Sequence, residues 1–171
     1  MEPHLDLWEL LDQGSRALLD SLDGLDDAAA ALRPGEGRWS VLECVEHVAV
    51  AEELLLSRLI AAIPAQPSRN EVRERAILER GADRTRRALA PEATRPIGRF
   101  STLAEALSHF QEARQRTRRF LRECPADLRA LTAVHPIIGP VNGYELVLIL
   151  SQHPVRHAAQ IREIRSETHS H

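Results

Sequence analysis

Apolar residues return at helical spacing along almost the whole chain, and this restricts the fold more than any other feature. The clearest stretch opens at Ser40-Val41-Leu42-Glu43. This is a capping box, in which the N-cap Ser and the Glu three residues later each satisfy an orphan backbone N–H. Val41, Cys44, Val45, Val48, Ala51, Leu55 and Leu59 follow on one face, and Pro64 and Pro67 stop the run. Thr102-Leu103-Ala104-Glu105 repeats the device and opens a third main helix ending near Pro125. Its inward positions are Leu103, Ala106, Leu107, Phe110, Ala113, Thr117, Phe120 and Leu121. Asn142-Gly143-Tyr144-Glu145 reads as another N-cap, before Leu146, Ile149, Leu150, Val155, Ala158 and Ile161. At the other end Leu7, Leu10, Leu11, Leu18, Leu22 and Leu25 predict a first helix from about His4 to Ala31, with Gly14 and Gly24 as weak points.

Only 4% of the residues are aromatic, so the core is built from Leu, Ala, Ile and Val, which favours packed helices over sheets. Residues 68–90 are rich in Arg and Glu and predict a short surface helix with a thin stripe of Val72, Ala76, Ile77 and Leu89. Residues 91–98 and 125–140 read as loops, the second for its three prolines and Gly139. The expectation is an all-α four-helix bundle with a long crossover connection between helices two and three. One domain spans 1–165, and 166–171 is a flexible, frayed tail.

Charge narrows the function. The formal net charge is −3, which opposes general nucleic-acid binding. Every basic residue is Arg, so Schiff-base chemistry on a lysine is excluded. Arg58 interrupts the best apolar run, Leu54 to Ile63, so no membrane span is expected. Two cysteines with no secretory signal before them point to a cytoplasmic protein.

The residues that best suit chemistry are His153 and His157, four apart on the last helix and therefore on one face. Two imidazoles so placed can address one metal ion, and a third ligand must come from elsewhere. His47, at the edge of the second helix's apolar stripe, is the leading choice; the plainer alternative is a hydrogen-bonded, partly buried histidine. Pro154 is expected to kink the helix, because it clashes with the Leu150 carbonyl, and so either to aim or to spoil the pair. Cys44 reads as a small core residue, with a thiolate near His47 as the alternative. His135 either packs its loop or lines a cleft. Arg114, Arg116, Arg118, Arg119 and Arg122 read as a solvated basic face. His4 and His109 carry no signal, and His169 and His171 are adventitious metal binders at most.

Three motifs, in order, resemble the DinB/YfiT-like family. They are Trp39-Ser40 with Glu43, His47 and Glu52; His135-Pro136 with Gly139; and His153-x-x-x-His157-x-x-Gln160-Ile161. The resemblance runs from Trp39 to Ile161. It implies a four-helix bundle with an unusual connection between helices two and three. It also implies one divalent metal ion, zinc or nickel foremost, held by three His, here His47, His153 and His157. Family members are described as metal-dependent hydrolases, and some relatives as S-transferases or isomerases that use a low-molecular-weight thiol such as bacillithiol or mycothiol. A small-molecule substrate is therefore expected. Glu43 and Gln160 are candidate acceptors behind the ligands. The other reading is a non-catalytic helical binding or stress-response module with a vestigial His site. Symmetric pairing of apolar bundles makes a homodimer the expected assembly.

Overall fold

The computed structural model describes residues 6–85 and 88–168. Helix α1 spans Leu7–Ser21, with the Asp6 carboxylate accepting from the Trp8 N–H at 2.9 Å. His4, the expected start, lies outside the described residues. The first helix is also shorter than its leucine pattern suggests. Gly24 takes φ +70°, the chain turns, and a separate short helix, α2, covers Asp27–Ala30 under an Asp26 cap. Gly14 breaks nothing. A Cβ there would press into the Ser151 carbonyl oxygen, so this glycine lets α1 lie close against the last helix.

Helix α3 spans Val41–Ile60 and carries both arms of the predicted capping box. A two-residue strand, β1 (Ile63–Pro64), follows. Helix α4 (Glu71–Gly81) then lies against α6, the final helix (Gly143–Thr168), so closely that a Cβ on Gly81 would sit 2.6 Å from Gln152 Cβ. The expected stripe on α4 is only partly present: Ala76 and Ile77 are half-buried, whereas Val72 and the following Leu89 are 82% and 88% exposed. A 3-10 turn at Glu92–Thr94 leads to α5 (Leu103–Glu123). Helix α6 continues through residues 166–168, three positions into the expected tail; 169–171, with His169 and His171, lie outside the described residues.

Helix α1 packs on α6, α6 on α3 and α3 on α5, and the Arg114 and Arg118 side chains of α5 reach back to Leu11 and Asp12 of α1. Two apolar clusters fill the interior. One gathers Leu18, Val41, Val45, Phe110 and Ile161; the other Leu11, Leu55, Leu59, Leu146 and Leu150. Arg114 sits between them, 4% exposed, against the Phe110 ring on one side and the backbone of Leu11 and Leu150 on the other. It forms a two-pronged pair with buried Glu52 at 2.8 and 3.0 Å, and Thr117 donates to the same carboxylate at 2.8 Å. This corrects the solvated-face reading for Arg114. Arg116 and Arg118 do face outward, paired with Glu53 and Asp12.

A second correction concerns residues 125–140 and the all-α class. Strands β2 (Leu131–His135) and β3 (Gly139–Asn142) form a hairpin, and β1 pairs with β2, giving an antiparallel sheet of order β1-β2-β3. Leu131, Ala133 and Val141 turn inward, while Gly139 at φ +76° closes the turn over Pro136, Ile137 and Ile138. Asn142 ends the hairpin and caps α6: its Oδ1 accepts from the Glu145 N–H at 2.8 Å, and its own N–H donates to the Glu145 carboxylate at 3.0 Å. Among the described residues, no helix is long and apolar enough to cross a membrane.

Candidate metal centre

Helix α3 delivers His47 and α6 delivers His153 and His157 to one point. His153 Nε2 lies 3.1 Å from Nε2 of His47 and 3.1 Å from Nε2 of His157. His47 and His157 are buried, and His153 is half-buried. The opposite ring nitrogens decide the protonation pattern. His47 Nδ1 lies 2.8 Å from the Thr94 carbonyl oxygen, and His157 Nδ1 lies 2.9 Å from Gln160 Oε1. Both partners only accept, so both Nδ1 atoms carry the proton and both Nε2 atoms present lone pairs. His153 Nε2 faces two lone pairs and can donate to one of them at most. A cation resolves this conflict. Two nitrogens each about 2.0–2.1 Å from a zinc ion at tetrahedral angles stand about 3.3 Å apart, close to the separation seen. The three imidazoles are therefore a donor set that could hold a divalent ion.

Electrostatics agree. Burial, then the charges of neighbouring His157 and His47, hold His153 well below the ordinary histidine pKa. Burial and then His47 do the same for His157, and burial lowers His47. All three are neutral near pH 7, the form that ligates a metal.

Two of the imidazoles, those of His47 and His157, are held from behind. Thr94 belongs to the connection between α3 and α5, and that connection is pinned by Glu46, one residue before His47. The buried Glu46 carboxylate accepts the N–H groups of Ile97, Gly98 and Arg99 at 2.8–3.2 Å, and Arg99 Nη1 at 2.7 Å. Gln160 holds His157 as expected. Glu43 does not hold His47; its carboxylate is spent on the Ser40 cap and on Arg33.

Pro154 leaves α6 unbroken and the His pair convergent. A proline has no N–H for the carbonyl four residues back, which strands the oxygen of Leu150. Arg114 Nη2 donates to that oxygen at 2.9 Å. The buried Glu52–Arg114 pair thus completes the hydrogen bond that Pro154 removes, directly under His153.

The imidazoles open into a cavity of about 890 Å³. Trp39 lies over them, its ring centroid 5.0 Å from His47 and 6.5 Å from His157. His135 lines the cavity as well as its own turn, where Nδ1 accepts from the Ile137 and Ile138 N–H groups at 3.2 and 3.3 Å. That leaves its proton on Nε2. Burial pushes the Cys44 thiol up to about 12, which excludes a thiolate there. His109 pairs with Glu53 away from the site. Sequence reasoning missed Thr94 and Glu46, for which only Glu46's place beside His47 gave a cue.

A sequence profile described as the DinB superfamily matches residues 10–161, which takes in His47, His153 and His157. The chain belongs to the DinB superfamily. Two solved structures share the fold of this DinB protein. "TT2238, a four-helix bundle protein" is 21% identical, with a TM-score of 0.56 over 94% of this chain and 95% of that one. YfiT from Bacillus subtilis, described as "a probable metal-dependent hydrolase with an unusual four-helix bundle topology", is 14% identical, with a TM-score of 0.57 over 99% of this chain and 94% of that one. At these identities the likeness is one of fold. No curated protein matches this DinB chain.

Proposed function

We propose that the protein is a metal-dependent enzyme acting on a small molecule, with His47, His153 and His157 holding one divalent cation, zinc or nickel. The reaction is hydrolysis, or transfer to a low-molecular-weight thiol. The observation that carries this reading is the set of Nε2 lone pairs turned toward one another while Thr94 and Gln160 hold the Nδ1 protons. A divalent ion bound there supplies Lewis acidity and lowers the pKa of a water or thiol at an open position.

The chain's own side chains do the rest. Thr94 and Gln160 fix ring orientation and tautomer. Trp39 limits water on one side of the imidazoles. His135 offers an N–H donor to a molecule in the cavity. The cavity wall, as far as its residues are described, has no Ser, Cys, Lys or Tyr, and its Thr94 hydroxyl, Glu163 carboxylate and His135 Nδ1 are engaged by Pro91, Arg84 and the Ile137 and Ile138 N–H groups, which supports a nucleophile from solution or from a second substrate. That favours water or an added thiol over covalent catalysis by the protein.

The test is metal content per chain by elemental mass spectrometry, on untagged protein with His169→Ala and His171→Ala, beside a His47→Ala control. A stoichiometric divalent ion that the control lacks supports the reading. A chain that stays metal-free with zinc, nickel or manganese supplied is instead a helical binding module.

A further inference from the structure

The cavity is more basic than the chain around it. The net charge of the whole sequence is −3, yet Arg38, Arg73, Arg80, Arg84 and Arg156 line the cavity and Glu163 is the one carboxylate among its described lining residues; Arg38 and Arg73 are paired with Glu167 and Glu145 from outside that lining. Two of these arginines stand beside the imidazoles. Arg84 Nη1 donates to Gln160 Oε1 at 3.3 Å, the same oxygen that takes the His157 Nδ1 proton. A single amide thus separates this guanidinium from the candidate ligand. Arg156, next to His157 in the chain, donates to the Asp83 carbonyl oxygen, one residue from Arg84. The chain just past α4 therefore gathers both cations at one place. Burial and then the Arg84 charge lower the Arg156 pKa, as expected when two like charges share a partly desolvated site. Glu163 bonds Arg84 at 2.9 and 3.3 Å, and the Asp83 and Glu163 carboxylates act on Arg156 in turn.

Guanidinium forks match carboxylate, phosphate and sulfonate oxygens in pairs, which makes an anion the natural complement. The remaining wall is largely apolar, with Leu54, Leu55, Ile77, Ile137, Ile138 and Ile149. A bare inorganic ion would leave that wall in water.

We propose that the cavity binds an organic anion, its acidic group against Arg84 and Arg156 and its apolar body along Leu54, Leu55, Ile137 and Ile149. This names a substrate class for the enzyme above and rests on that reading only in calling the anion a substrate.

Paired fluorescence titrations test it, with anilinonaphthalene sulfonate and its uncharged counterpart phenylnaphthylamine. The sulfonate is expected to bind roughly tenfold more tightly, the margin of one charge-assisted hydrogen bond. Arg84→Gln with Arg156→Gln is expected to erase that margin and leave phenylnaphthylamine binding in place. Should the double variant fail a circular-dichroism check of its fold, Arg84→Gln alone serves, since its side chain is 24% exposed. Equal binding of the two probes by the wild type, or a margin that survives the substitutions, would overturn the proposal. So would displacement of the sulfonate by inorganic phosphate at comparable concentration. Repeating the titrations on His47→Ala separates the two readings. A metal-free chain that keeps the margin retains the anion site, whereas a metal-loaded wild type without the margin rejects it.

Discussion

At the scale of single residues, the site depends on which nitrogen of each ring bears the proton. His157 is set by Gln160, whose Oε1 can only accept. Removing that acceptor frees the ring to rotate or change tautomer. We expect Gln160→Leu to weaken metal binding by about 10–100-fold with the helix intact, measured by competition with a chromophoric chelator. Unchanged affinity would show that packing alone orients the ring. The three histidines were legible from sequence because a four-residue step on one helix needs no tertiary knowledge, and His47 lay at the border of an apolar stripe. Thr94 was not legible. It offers a backbone carbonyl, which every residue has, and only the fold brings it to His47.

At the scale of elements, α6 holds a proline in its middle without losing its line, and the reason lies on another helix. The guanidinium of Arg114 stands in for the N–H that Pro154 lacks. A double-mutant cycle reads this coupling. Arg114→Met alone strands both the Glu52 charge and the Leu150 carbonyl, at about 3–5 kcal/mol by analogy with other broken buried pairs. With Pro154→Ala in the background, the alanine N–H can reach Leu150, and we expect the loss to shrink by about 1 kcal/mol in chemical denaturation. Equal losses in both backgrounds would show the contact to be incidental. Arg114 was misread because a run of arginines on one helix looks solvated; its burial depends on Glu52, 62 positions away. The hairpin escaped for a local reason. Its strands are short and its prolines interrupt the alternation that marks a strand, so only pairing with β1 and the burial of Leu131 and Val141 define it. The main helices were legible because caps and periodicity are written within each segment, although Gly24 cut the first one short.

At the scale of the whole molecule, three imidazoles, two buried and one half-buried, tie the fold to pH. Their pKa values are lowered in the folded chain, while in the unfolded chain they return to about 6.5. Between those values the unfolded state binds more protons, so acid favours unfolding. The metal-free fold is expected to keep its full stability above about pH 6.5 and to lose it as the pH falls from there toward the lower folded values. Melting temperatures of chelator-treated protein between pH 8 and pH 5 check this, with His153→Gln expected to flatten the slope. A flat wild-type profile would mean that these rings pick up protons freely in the fold.

The separation of the ligands along the chain also sets a time. His47 meets His153 across 106 positions, and the nitrogens converge only when α6 has docked on α3. On the ribosome, His47 emerges long before its partners exist. The three nitrogens therefore cannot converge before α6 is made and docked, and an ion held by all three would report that this helix is in place.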